Sequence, residues 1–237
     1  MRMRLLEMGA NNAFMNMGID EALMSSEEPV LRLYAWSPPA VSVGYFQKVE
    51  EEVDEEACAR FGVDVVRRQT GGGAVFHENE LTYSFITREH PQNILESYKW
   101  VCGALIEGLG TLGVRAEFAP LNDIVVGGKK ISGNAQTRRR GVMLQHGTVL
   151  LGVDVEKMFS LLKVPSEKMK GKLISDVKAR VSALGVSFEE AREAVKKGFE
   201  RSMNAELVPS ELTEEESEKA IKLAEGKYKS GEWLHRI

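Results

Sequence analysis

The chain has 237 residues, with 31 Lys plus Arg against 35 Asp plus Glu, for a formal net charge of −4. That length fits one large domain or two small ones, the mildly acidic balance is a poor start for a nucleic-acid binder, and 43% hydrophobic with 28% charged residues excludes a disordered, collagen-like or coiled-coil chain. No apolar run approaches the roughly 20 residues of a membrane helix, Glu7 interrupts the start before a signal-peptide core can form, and the two cysteines, Cys58 and Cys102, in no Cys-x-x-Cys pair, point away from a disulfide framework and towards a reducing cytosol.

Taken in chain order, Asn12 to Met24 has helical spacing, and Val30–Tyr34 and Val41–Tyr45 alternate like strands around Pro38-Pro39. An acidic helix is expected from Glu50 to Phe61, stopped by Gly62, and a strand at Val63–Arg67 leads into Thr70-Gly71-Gly72-Gly73. Ala74–Phe76 and Leu81–Ile86 read as further strands. A long helix spans about Gln92 to Leu112, with Gly113 closing it. Ile124–Val126, Gly127-Gly128 and Lys129–Ile131 give a hairpin signal, and Met143–Leu151 is another strand. The last third reads as helical, with serine or threonine followed by glutamate three residues later at Ser187/Glu190 and Thr213/Glu216. The expected architecture is a mixed α/β (α+β) sheet core to about residue 185 and a helical segment from about 186. No Gly/Ser-rich or Pro-rich linker separates them, so 1–237 is expected to be one catalytic domain.

Three stretches carry possible chemistry. Arg67-Arg68-Gln69-Thr70-Gly71-Gly72-Gly73-Ala74-Val75-Phe76-His77 removes every side chain from a short loop, so that a phosphate or an acyl tail can lie against backbone N–H groups. It is not a P-loop, because strand-like residues follow it where a helix should open; the structural alternative is a glycine-rich hairpin with two solvated arginines. Asn122-Asp123 leads through Gly127-Gly128-Lys129-Lys130-Ile131-Ser132-Gly133, where a lysine beside small residues can act as a compact point charge or simply be exposed at a turn. His146, in Leu144–Thr148, reads as a hydrogen-bonded core residue. The four histidines show no metal-ligand spacing, so no structural metal is expected. Arg138-Arg139-Arg140 reads as a solvated loop, and Cys58 and Cys102 as buried helical thiols.

Together, and in this order, Arg67 to His77, Leu121-Asn122-Asp123, Lys129 to Ala135 and Gln145 to Thr148 resemble the lipoate–protein ligase A family, with Asp176-Val177-Lys178-Ala179-Arg180-Val181 similar to its later basic signature. The resemblance implies a mixed, largely antiparallel sheet with flanking helices, related to biotin protein ligases. It implies ATP-dependent activation of lipoate to lipoyl-AMP and transfer to a lysine of an acceptor lipoyl domain, with ATP, Mg²⁺ and lipoate as cofactor and substrate. By position, Arg68 is the nucleotide- and acyl-binding arginine. The loop contacts are Gly71, Gly72, Gly73, Ala74, Val75, Phe76 and His77. Lys130, rather than Lys129, is the catalytic lysine. Asn122 and Asp123 belong to the ligand site, Asp123 orienting Lys130 or holding Mg²⁺. A C-terminal accessory domain is not recognised, so a separate small ligase subunit is expected to complete ligation, as in archaeal bipartite enzymes; neither nucleic acid nor membrane is an expected partner. The competing reading is an octanoyltransferase that takes the acyl group from a carrier-protein thioester without ATP. Its cysteine nucleophile belongs a few residues before Asn122-Asp123, and Val114–Ala119 holds none, which favours the ligase expectation.

Overall fold

The computed structural model describes residues 1–163 and 167–237. It opens with strand β1 (Arg2–Asn11), helix α1 (Ala13–Leu23), β2 (Val30–Trp36), β3 (Ala40–Val43), two short helices α2 (Val49–Glu52) and α3 (Glu55–Phe61), and β4 (Asp64–Arg67). After the glycine loop come β5 (Val75–His77), β6 (Glu80–Thr87), α4 (Ile94–Gly110), β7 (Ala116–Ala119), β8 (Asp123–Val126), β9 (Lys129–Arg139) and β10 (Val142–Leu150). The remainder is α5 (Val155–Leu161), α6 (Glu167–Arg180), α7 (Phe188–Met203), β11 (Glu206–Pro209), α8 (Glu214–Leu223), a π-helical turn at Ala224–Tyr228 and α9 (Gly231–Leu234).

Eight strands make one sheet in the order β11-β1-β2-β6-β10-β9-β8-β7, parallel at the β11-β1-β2 edge and antiparallel beyond it. A second sheet has the order β4-β3-β5. Successive residues of the large sheet point to opposite faces, and both faces are covered. Leu5, Leu31, Tyr83, Phe85 and Met143 pack with Leu105, Leu109 and Phe199 of α4 and α7. Their neighbours Leu6, Val30, Ile86 and Leu144 pack with Ile19 and Leu23 of α1 and Ala220 of α8. This double burial explains why β6 is buried along its whole length and β10 nearly so. Glycine permits the helix crossings. A Cβ on Gly198 would lie 2.0 Å from the Ala104 carbonyl, one on Gly108 2.2 Å from that of Ala194, and one on Gly18 2.5 Å from that of Ala220.

Local signals in the sequence have their expected structural counterparts. Asn12 caps α1 by accepting from the Met15 N–H at 2.9 Å, and both capping boxes form. Gly127 and Gly128 both have positive φ, as a two-residue hairpin turn with matching twist requires. Three expectations need correction. The acidic helix is two helices broken at Val53, whose side chain is buried in the cluster with Val49 and Cys58. Arg138 and Arg139 lie in β9, and only Arg140 (φ 52°) occupies the turn. The last third is not wholly helical: β11 pairs in parallel with β1, from the opposite end of the chain. An exchange of hydrogen bonds over some two hundred residues leaves no local pattern in a four-residue segment.

Candidate active site

The glycine loop is built around Arg68, which is buried at 5% exposure. Its Nε donates to Thr70 Oγ1 (3.1 Å), its Nη1 to the Ser42 carbonyl (2.8 Å) and Ser42 Oγ (3.1 Å), and its Nη2 to the carbonyls of Gly71 (2.8 Å) and Gly73 (2.7 Å). A guanidinium has five N–H donors, so these bonds commit all of them. Burial pushes the Arg68 pKa down to about 10. Arg67 is equally enclosed: it donates to the carbonyls of Gly44, Tyr45 and Gln47 and to that of Leu234 in α9. Solvated arginines are thereby excluded. With loop carbonyls turned towards Arg68, the N–H groups of Gly71, Gly72 and Gly73 meet no acceptor among the described residues. Gly44 lets the loop settle, because a Cβ there would lie 2.0 Å from the Gly72 carbonyl oxygen.

The loop forms one wall of a cavity of about 340 Å³, within the usual range for small-molecule sites. Ala74, Val75, Phe76, Leu150 and Met158 supply apolar lining, and Val177 and Val181 bring in the later signature. Lys178 of that signature instead pairs with Glu156 at 2.8 Å on the exterior. At the polar end Lys130 Nζ holds Asp123 Oδ1 at 2.7 Å, both side chains being about a third exposed. Lys129 is exposed and does not line the cavity. Gly133 makes room for the lysine, since a Cβ there would stand 2.8 Å from Lys130 Nζ. Asn122 also lines the cavity; its backbone carbonyl accepts from Asn134 Nδ2 at 2.8 Å, and its own amide nitrogen donates to the Asn134 carbonyl. The structure therefore brings Arg68, Gly71–Gly73, Ala74–His77, Asn122, Asp123 and Lys130 to one place.

Two imidazoles border this space. His146 Nδ1 lies 3.0 Å from Asp20 Oδ2 and its Nε2 2.7 Å from Thr70 Oγ1. Asp20 is fully buried and also meets Arg32 Nη1 and Ser84 Oγ, each at 2.7 Å. Burial alone would raise the Asp20 carboxyl, but the His146 hydrogen bond, the Arg32 charge and Ser84 outweigh it and hold its pKa below the ordinary value. His77 Nε2 lies 2.8 Å from Ser42 Oγ and its Nδ1 2.7 Å from Glu80 Oε1, with Trp36 stacked on the ring at 4.1 Å between centroids. Sequence reasoning missed Asp20, Arg32, Ser42 and Glu80. The one available signal was the three-residue spacing of His77 and Glu80.

Cys58 in α3 and Cys102 in α4 are buried outside the cavity lining. Burial pushes their thiols up, to about 11 and about 12 respectively. Among the described residues no group of three His, Cys, Asp or Glu side chains could hold a metal ion, and Asp123, the one carboxylate offered for Mg²⁺, is paired with Lys130; the residues present do not fit a magnesium site. No helix among the described residues is long and apolar enough to cross a membrane.

The lipoyl protein ligase A/B catalytic domain model matches residues 12–200. An octanoyltransferase LipM from Geobacillus kaustophilus is 41% identical, the match covering 97% of this chain and 96% of the relative. The octanoyltransferase LipM of Bacillus subtilis is 37% identical over 98% of both. Among solved structures, the archaeal bi-partite lipoate protein ligase of Thermoplasma acidophilum is 33% identical with a TM-score of 0.92, covering 99% of this chain and 95% of that one. The octanoyltransferase relatives overturn the expectation of ATP-dependent lipoate ligation, and with it ATP, Mg²⁺ and lipoate as cofactor and substrate. They also give no support to a separate accessory subunit. The lack of cysteine in Val114–Ala119, which favoured ligation, is outweighed by these relatives. The chain is an enzyme of the lipoate and octanoate ligase–transferase group, and it belongs to the lipoyl protein ligase A/B catalytic domain family.

Proposed function

We propose that this chain moves an octanoyl group from a carrier-protein thioester to the ε-amine of a lysine on a lipoyl domain, without nucleotide, and that residues 1–237 act as one catalytic domain. The observation that carries the reading is the Lys130–Asp123 pair at the polar end of an apolar cavity also lined by a glycine loop whose N–H groups meet no acceptor among the described residues. The apolar lining accommodates the acyl chain. Lys130 faces the thioester carbonyl, whose oxygen gains negative charge as a nucleophile adds, and a fixed cation there is stronger in the transition state than in the ground state. Asp123 keeps the ammonium in place, Asn122 and His77 complete the polar lining, and Arg68 acts by holding the loop. Similarity over nearly the whole chain to octanoyltransferases, at 41% and 37% identity, supports this donor.

The test is direct. Purified chain, octanoyl-carrier protein and a lipoyl domain are mixed without ATP, and the lipoyl domain is weighed by intact mass spectrometry. Gain of one octanoyl group on the target lysine is expected. Modification that requires free fatty acid and ATP, with none from the thioester, refutes the proposal.

A further inference from the structure

Lys130 and Asp123 hold one another, but both side chains are about a third exposed, and the turn that delivers Asp123 carries Leu121 at 73% exposure. A cation that stabilises charge on a reacting carbonyl has to be in place before the reaction, and a displacement of about 1 Å can cost roughly a hundredfold. Behind the pair runs a row of polar side chains on β9, β10 and β6, of which only the innermost, Asn134, lines the cavity. We propose that this row, ending in Tyr83 and Asn134, positions Asn122 and Asp123, and through them Lys130, against the acyl carbonyl. The inference deepens the acyl-transfer reading above and rests on it.

The row is a directed chain of hydrogen bonds. Arg138 Nε donates to Gln136 Oε1 (2.9 Å), and Gln136 Nε2 to Gln145 Oε1 (2.9 Å). Gln145 Nε2 donates to the Tyr83 hydroxyl oxygen (2.7 Å), the Tyr83 O–H to Asn134 Oδ1 (2.6 Å), and Asn134 Nδ2 to the Asn122 carbonyl (2.8 Å). None of these links can be reversed alone. A guanidinium has no acceptor, so Gln136 presents its oxygen to Arg138 and its nitrogen to Gln145, and Gln145 takes the same orientation. Having accepted from Gln145, Tyr83 has its one proton left for Asn134. Burial pushes the phenol well above its ordinary pKa, which keeps that proton in place. Asn134 therefore turns its oxygen to Tyr83 and its nitrogen to Asn122. Each donor in such a chain is strengthened by the bond it accepts.

Strand register builds the row. Gly147 of β10 stands opposite Tyr83 of β6 on one side and Asn134 of β9 on the other. Its missing side chain leaves the gap in which phenol and amide meet, since a Cβ there would lie 2.2 Å from Asn134 Oδ1 and 2.8 Å from Tyr83 Cε1. Gln145 and Gln136 are a facing pair two residues along, on the same side of the sheet. Tyr83 and Gln145 are fully buried and Asn134 nearly so, so water does not replace a missing link. At the inner end Asn122 is held by three bonds. Its carbonyl accepts from the Asn134 backbone N–H (3.1 Å) as well as from Nδ2, and its amide nitrogen donates to the Asn134 carbonyl. Asp123 is the next residue, faces Gly133 across β8 and β9, and holds Lys130 Nζ at 2.7 Å.

The test compares Tyr83→Phe, which removes only the hydroxyl, and Asn134→Ala with the parent in transfer from octanoyl-carrier protein to a lipoyl domain. Thermal melting establishes that each variant is folded at the assay temperature, and Asn134→Ala, at the cavity edge, carries the test should Tyr83→Phe unfold. Each should lower kcat roughly tenfold to a hundredfold with KM for the thioester within about twofold of the parent, because the apolar lining is untouched. A second readout follows the lysine itself. Brief treatment with deuterated acetic anhydride and peptide mass spectrometry give the labelling rate of Lys130 relative to the adjacent, exposed Lys129. In the parent the pairing with Asp123 should make Lys130 the slower of the two; in the variants the ratio should rise several-fold towards one. A merely structural loss would leave this ratio unmoved. Parental kcat in the folded variants, a change confined to KM, or a loss of kcat with the labelling ratio unchanged overturns the proposal and leaves the transferase reading standing. A parent that moves no octanoyl group from the thioester sinks the transferase reading. The labelling ratio then decides the positioning role by itself: a rise in the variants upholds it, and an unchanged ratio overturns it.

Discussion

Replacing Lys130 with alanine separates a working cation from a solvated one. At about 4 Å, two unit charges interact by roughly 1 kcal/mol in bulk water and roughly 4 kcal/mol at an effective dielectric near 20. Lys130 lies between these limits, its side chain being 39% exposed. At about 1.36 kcal/mol per decade, the limits correspond to roughly fivefold and a thousandfold in rate. The expected loss of kcat/KM in Lys130→Ala therefore lies towards the upper limit, because the charge is used when the carbonyl is enclosed. Stability should barely change, since a partly exposed ion pair contributes about 0–1 kcal/mol. Lys129→Ala, one residue away but exposed and outside the cavity lining, is the internal control and should stay within about twofold of the parent. The assay is octanoyl transfer to a lipoyl domain at subsaturating thioester, alongside thermal melting. Equal losses in the two variants, or a loss in Lys130→Ala accounted for by unfolding, would refute the assignment.

Gly44→Ala should abolish transfer and lower the melting temperature, because the added Cβ would meet the Gly72 carbonyl oxygen at 2.0 Å and overpacking of backbone cannot relax by rotamer change; parental activity would show that the loop is not rigidly seated. The double variant Cys58→Ala/Cys102→Ala should retain transfer, and iodoacetamide should leave the parent active, since burial pushes the two thiols to about 11 and about 12; loss of activity in a folded double variant would restore a thiol mechanism. Asp20→Asn strips the anion from Arg32, whose side chain is 0% exposed, and should destabilise by roughly 3–5 kcal/mol in urea titration at neutral pH. Because the folded Asp20 pKa lies below the ordinary aspartate value of about 3.9, its contribution is present above that value and lost as pH falls through the lower folded one; a parent and variant with the same acid-unfolding profile would contradict this.

What the sequence made legible was whatever depends on neighbours along the chain. The caps at Ser187 and Thr213 and the Gly127-Gly128 turn rest on spacings of one to three residues. What it hid depends on distant pairing. Edge strand β11 exists because β1 presents an unpaired edge, and neither segment has a pattern of its own. For Arg67 and Arg68 the sequence left solvated side chains open as the alternative to a ligand-binding Arg68; their burial follows from carbonyls contributed by Gly44, Tyr45, Gln47 and Leu234 for the first, and by Ser42 and the loop for the second. Asp20, Arg32, Ser84 and His146 form one buried cluster from four separate elements, so no short motif holds it.

The error over the acyl donor has the same origin. The motifs that carry the family resemblance, the glycine loop and the Lys130 hairpin, line the cavity that, on the proposed reading, takes the acyl group. Adenylate and thioester chemistry share that half of the reaction, so matching those motifs cannot distinguish them. The distinction lies in how the first leaving group is displaced, and the residues that do this need not occupy the family's motif positions. Here the thiols are in helices α3 and α4, away from the cavity. Ser42, His77 and Glu80, from three strands, meet in its lining. Of those three, only His77 falls within a matched motif.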